Sequence, residues 1–173
     1  QVPRYDYAAQ FADLDATTAA IRRMLSAGTY ILDENVESFE HRFAGYIGVH
    51  HAVGVNSGTD ALILALRALD IGPGDEVITV ANTFYASVLA ITAVGATPRL
   101  VDCRADDYLM DMDQVRQAVG PRTRAILAVH LFGKALPMDS LRQITERHSL
   151  ALIEDCAQAV GATWQGRRVG SFG

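Results

Sequence analysis

The sequence predicts an α/β protein whose mostly parallel sheet is covered by helices on both faces. Three observations carry that expectation. From residue 51 onward, short apolar runs alternate with helical segments, the pattern of strands joined by helical crossovers. Those runs are too continuously apolar for strands with one face in water. The chain has 173 residues, 50% of them apolar, enough for one well-buried unit.

Taken in order, Phe11 to Leu25 reads as an amphipathic helix ending near Gly28. Asn35 to Ile47 reads as a second, with Val36, Phe39, Phe43 and Ile47 spaced by three and four. The runs "HAVGV", "DEVITV", "TPRLVD", "RAILAVHLF" and "LALIED" then read as strands. Helical segments Thr59–Leu69, Tyr85–Val94, Asp113–Val119 and Asp139–His148 separate them. "IGPGD", "VGATP" and "GPRTR" mark the stops. "GATWQGRRVGS" reads as a hairpin around Gln165-Gly166, which is not the most favoured turn pair. No repeat or low-complexity linker interrupts this order, so a helical segment over 1–50 leads into one α/β unit over 51–173. The first residue is not Met and the last are "VGSFG", so the chain is read as a piece of something longer.

A formal charge of −5 with both signs interspersed argues against nucleic acid as a partner. No window is apolar enough to span a membrane, and "QVPRYDYAAQF" lacks the pattern of a signal peptide. Cys103 and Cys156 stand alone and far apart, so they read as small buried hydrophobes in a reducing cytoplasm. His41, His50, His51 and His148 show no metal-ligand spacing, and no metal is expected.

Ligands of open α/β sheets bind beyond the carboxyl ends of the strands, so the residues standing there matter most. They are Ser57-Gly58-Thr59, Asn82-Thr83-Phe84, His130 with Phe132 and Gly133, and Asp155 with Gln158. The Ser57 turn has two readings. Ser57 with Asp60 resembles a capping box, or the free N–H groups of the helix start hold a phosphate. The turn matches neither a Walker sequence nor GxGxxG, which disfavours ATP and dinucleotides. Phe84 is either a core residue or an exposed platform, and it follows a polar pair where a core Phe is less expected. Asp155, just past an apolar run, must be capped, paired or solvated. It is either an N-cap or a functional acid. His130 reads as a satisfied strand-end histidine.

Together "VGVNSGTDALILALRALDIGPGDEVITVANTFYAS", "AVGATPRLVD", "TRAILAVHLFG" and "IEDCAQAVGA" resemble the DegT/DnrJ/EryC1/StrS aminotransferases. The resemblance runs nearly end to end, from "GTYILDENVESFEHRFAGYIGV" through "WQGRRVGSFG". It implies the aspartate-aminotransferase-like fold (fold type I), of which this chain covers part of the large domain. It also implies pyridoxal 5'-phosphate as cofactor, a keto-sugar nucleotide and an amino-acid donor (glutamate or glutamine) as substrates, and a cytoplasmic homodimer. By the same resemblance, Ser57, Gly58 and Thr59 hold the cofactor phosphate and Phe84 stacks on its ring. Asp155 is the catalytic acid paired with the ring nitrogen, and Gln158 lies near the ring oxygen.

The family holds its cofactor on a lysine in a motif of the form S-F-x-P-x-K, which follows closely after a segment like "RRVGSFG". All but one of the 15 basic residues here are Arg. The exception, Lys134, lies in "HLFGK", where relatives often carry Gln or Arg, so it is not taken as that lysine. Without that lysine, the 173-residue chain by itself is expected not to transaminate. Two departures from the family pattern are Val160, where many relatives have His, and Asp33, where Gly is common. The rivals are an aminocyclitol aminotransferase, a sugar dehydratase of the same family and a non-catalytic binding relative. The last is disfavoured because Thr59, Phe84, Asp155 and Gln158 are all present.

Overall fold

The computed structural model describes residues 6–11, 13–28 and 30–173. A one-turn helix α1 (Tyr7–Gln10) precedes α2 (Leu14–Ala27). The predicted helix from Phe11 starts later than expected because the Asp13 side chain caps it, accepting from Ala16 N–H at 3.1 Å; Ala12 lies outside the described residues. Gly28, at φ 70°, ends it. None of the α2 residues is buried, and Leu14, Ile21 and Leu25 face outward. The Asp33 carboxylate caps α3 (Glu34–Ile47) by accepting from Asn35 and Val36 N–H. That gives the departure at position 33 a local reason, since Gly has no capping oxygen.

The core is a parallel four-stranded sheet ordered β2-β1-β3-β4. Its strands are β1 (Glu76–Val80), β2 (Thr97–Val101), β3 (Thr123–Val129) and β4 (Ala151–Asp155). Every β1 residue is buried, as are six of the seven in β3, whereas the edge strands β2 and β4 are partly exposed. α4 (Gly58–Ala68) packs on α5 (Tyr85–Ala93), which packs on β1 and β2. α6 (Met112–Ala118) and α7 (Met138–His148) touch each other and lie on β2 and β4. Right-handed crossovers with this strand order place α5 on one face of the sheet and α6 and α7 on the other. Helix α5, sandwiched between the sheet and α4, is accordingly apolar nearly all round. Leu66, Ile78, Ile91, Leu127 and Leu141 lie at the centre of the core with 0% exposure, and burying each such side chain contributes about 1.5–3 kcal/mol.

After α5 the chain reverses at Gly95, whose φ is +84°. A Cβ there would sit 2.9 Å from Pro73 Cγ, so the stop predicted at "VGATP" is fixed by conformation and by space. The predicted hairpin forms as β5 (Thr163–Trp164) and β6 (Arg167–Arg168). Gln165 and Gly166 both have positive φ, 49° and 81°, the geometry of a type I′ turn. Trp164 and Gln165 anchor it by donating to Asp139 Oδ2.

One predicted strand does not form. "HAVGV" (His51–Val55) has no ladder partner among the described residues. Val53 and Val55 are exposed, and Gly54 N–H turns to Glu40 Oε1 at 2.6 Å. An apolar run becomes a strand only where a neighbour accepts its backbone bonds.

Candidate active site

The crossovers from β1 and β3 leave toward opposite edges and opposite faces of the sheet, which makes the carboxyl ends of these strands the switch point above which open α/β sheets bind ligands. Phe84, the first residue before α5, stands at that end with 71% of its surface exposed. It is therefore not a core residue. One turn on, Ser87 is fully buried and donates to Asp155 Oδ2 at 3.3 Å. Ser87 has one proton, and a carboxylate only accepts, so in the 2.9 Å contact between Thr83 and Ser87 the threonine donates. Thr83, Ser87 and Asp155 thus form a directed chain. The other oxygen, Oδ1, accepts from Ala157 N–H at 3.1 Å. Asp155 caps the turn that follows β4, as its N-cap reading expects, and its carboxylate is held at the sheet end. Ser87 escaped the sequence reading, which named Thr83 only as part of the turn before Phe84; the signal for Ser87 was a polar residue inside the mostly apolar "YASVLAITA".

At the start of α4, Ser57 Oγ accepts from Asp60 N–H at 3.1 Å. The Asp60 carboxylate accepts from Asn56 Nδ2 at 2.8 Å and from the Ser57 hydroxyl at 3.0 Å. These bonds, that from Asn56 first, hold its carboxyl below the usual range. Ala61 N–H reaches Ser57 O. Of the four donors at this helix start, Ser57 to Asp60, that of Asp60 is met by the Ser57 hydroxyl, and those of Gly58 and Thr59 have no acceptor among the described residues. A Cβ added to Gly58 would meet nothing within 4 Å, so the backbone there is open to close approach. Ser57→Ala is expected to destabilise the folded protein by about 1 kcal/mol, read by denaturant unfolding; no change would show that the cap does not hold the helix.

The turn lines a cavity of about 650 Å³ together with Cys156 and Val160, so it shares a wall with the loop that flanks Asp155. Phe84, Asp155 and Gln158 are carried on separate elements and do not line it. Gln158 is exposed, and its Oε1 accepts from Phe132 N–H at 2.9 Å. Lys134 lies elsewhere: its ammonium donates to the Asp107 carbonyl at 3.5 Å beside a different cavity, with Met110 and Trp164.

His130 is fully buried and satisfied at both nitrogens. Nδ1 accepts from Leu136 N–H at 3.1 Å, so the proton is on Nε2, which donates to Glu154 Oε2 at 3.1 Å. Glu154, which the sequence reading passed over, also accepts from the N–H groups of Gly170, Phe172 and Gly173 at 2.8, 2.7 and 2.9 Å. Burial pushes its carboxyl up, but the bonds from His130 and the three amides outweigh this and hold it below the usual range. Neighbours in a strand point to opposite faces, so Glu154 serves the 170–173 segment while Asp155 meets Ser87. His130, Glu154 and Cys156 place ligand atoms within 4.8 Å of one another. His130 Nδ1 is taken by Leu136 N–H and Nε2 faces Glu154, so an ion there would have to displace the His130–Glu154 bond. Burial and the carboxylates of Glu154 and Asp155 also push the Cys156 thiol up to about 12.

Residues 13–173 match the model of the DegT/DnrJ/EryC1/StrS aminotransferase family. The chain is 51% identical over 172 residues to a dTDP-3-amino-3,4,6-trideoxy-alpha-D-glucose transaminase of Streptomyces venezuelae, covering 99% of this chain and 45% of that protein. It is 48% identical over 154 residues to a dTDP-3-amino-3,6-dideoxy-alpha-D-galactopyranose transaminase of Aneurinibacillus thermoaerophilus, covering 89% and 42%. A crystal structure of S. venezuelae DesV in complex with a ketimine intermediate superposes with a TM-score of 0.93 at 51% identity, over 98% of this chain and 46% of that one. The chain therefore spans less than half the length of these relatives. With a parallel sheet and helices of the same arrangement, and with a match over nearly all of its residues, the chain belongs to the DegT/DnrJ/EryC1/StrS aminotransferase family.

Proposed function

We propose that the full-length protein is a pyridoxal-phosphate-dependent aminotransferase that moves an amino group from glutamate or glutamine to a keto-sugar nucleotide, as a cytoplasmic homodimer. The observation that carries this reading is Asp155, a carboxylate held on both oxygens at the end of β4, in a chain half identical to a sugar-nucleotide transaminase. The residues fit the cofactor. Gly58 and Thr59 offer two free N–H groups at the positive end of an 11-residue helix, with nothing above Gly58 to block an anion. Phe84 offers an exposed ring at the crevice. The outward apolar residues of α2 support a partner subunit.

Bound pyridoxal phosphate supplies an electron sink that works while its ring nitrogen is protonated. The chain's own residues supply the conditions. Ser87 and the Ala157 N–H use two of the carboxylate's lone-pair sites, leaving Asp155 able to accept a further, cationic N–H. The N–H groups at Gly58 and Thr59 spend binding energy on a group distant from the reacting carbon, which fixes orientation. Phe84 restricts the ring plane from one side.

The purified full-length protein is expected to show the visible absorbance of covalently bound cofactor, and Lys134→Arg to leave that absorbance intact. Loss of the band in Lys134→Arg would identify Lys134 as the attachment point, against its position beside a separate cavity. A wild type that binds no cofactor would overturn the function itself.

A further inference from the structure

Beyond β3 the chain adopts a conformation that its sequence does not favour. Lys134 N–H bonds to Leu131 O at 3.2 Å, and between them Phe132 (φ 56°, ψ 24°) and Gly133 (φ 84°) are both left-handed. This is a type I′ turn, whose first central position prefers Asn, Asp or Gly. A phenylalanine there is disfavoured because its Cβ crowds the following carbonyl oxygen, and its ring, 79% exposed, gains little from packing. What the turn does achieve is directional. It aims Phe132 N–H at Gln158 Oε1, 2.9 Å away. An amide has one acceptor and one donor end, so this bond decides which way Gln158 faces. Its oxygen is turned to the β3 loop, and its NH₂ is left without an acceptor among the described residues.

We propose that Phe132 is a positioning residue: its strained backbone fixes the Gln158 amide so that the NH₂ group is the end presented to the cofactor's ring oxygen. This rests on the cofactor reading above and deepens it. A donor at that oxygen stabilises its deprotonated form and lowers its pKa. The side chain of Phe132 has no part in this; only the left-handed φ and the N–H do.

The test is a pH titration of the visible band of the full-length holoenzyme, with thermal melting to confirm that each variant is folded. Gln158→Glu keeps an acceptor for Phe132 N–H but has no donor, and should raise the apparent pKa of the band by about one pH unit. Phe132→Val, β-branched and the least compatible with a left-handed φ, should move it the same way. Phe132→Asn and Phe132→Gly, both at ease in the turn, should titrate like wild type although the ring is gone. A Phe132→Val holoenzyme that titrates like wild type would overturn the proposal, as would Asn and Gly variants shifted as far as Val. A variant that does not fold is replaced by Phe132→Ala, expected to lie between Gly and Val. A Gln158→Glu titration that does not move places Gln158 away from the ring and overturns the positioning while leaving the cofactor reading intact. A wild type without any visible band overturns both.

Discussion

Replacing Asp155 by alanine or asparagine in the full-length protein is expected to lower turnover by roughly 10²- to 10⁴-fold. Removing one partner of a buried ion pair typically costs about 3–5 kcal/mol, and each 1.36 kcal/mol is a factor of ten in rate. The fold should survive. Without the carboxylate, Ser87 can turn its proton toward Thr83, 2.9 Å away, so no buried hydroxyl is stranded. Ala157 N–H lies in an exposed turn and can be hydrated. Asparagine removes the charge while keeping the shape: Oδ1 still accepts from Ala157 N–H, and an NH₂ donor replaces the Oδ2 acceptor, so the Ser87 proton turns to Thr83 there too. Steady-state rates and melting curves check both halves of the expectation. Turnover in the asparagine variant within tenfold of wild type would remove the electrostatic basis of the assignment.

Glu154→Ala should produce the opposite phenotype, an injury to the fold before any to the chemistry. The carboxylate is 3% exposed beside a fully buried His130 and accepts four hydrogen bonds. Bonds to a charged acceptor contribute about 1.5–3 kcal/mol each. Gly170 and Gly173 are exposed and can hydrate their amides, so the expected loss is about 3–5 kcal/mol in denaturant unfolding, not the full sum. A loss below about 1 kcal/mol would contradict it. The acid's folded pKa lies below its unfolded value. Its contribution is therefore complete above the ordinary glutamate range and disappears as pH falls through the lower folded value. Glu154→Gln cannot titrate and should flatten the acid side of the stability curve.

Why Asp155 stands out in the sequence as a candidate and Glu154 does not is a matter of range. A carboxylate closing an apolar run is conspicuous in a line of letters, and so are a Gly at the start of a helical pattern and a Phe after a polar pair. The strands from Glu76 to Asp155 and the helices between them were legible for a similar reason: each is declared by its own period and by Gly or Pro at its ends. Glu154 takes its importance from amides 16 to 19 positions later, and no local pattern announces that convergence. Ser87 matters through Asp155, 68 positions on. The failure at "HAVGV" has the same origin in reverse. Its composition is that of a strand, but a strand is a relation between two segments, and Val53 and Val55 found no partner. Phe132 is the subtlest case, since a positive φ at a non-glycine residue contradicts what its letter suggests.

The two acids that close β4 sit side by side in the sequence and serve opposite sides of the sheet. Their order is therefore frozen in a way that neither identity alone reveals. Inserting one residue upstream in that strand would exchange the faces the two acids meet, turning Glu154 toward Ser87 and Asp155 toward the 170–173 segment. Replacement in place spares that alternation, whereas a change of strand length before position 154 puts both sets of bonds at risk together.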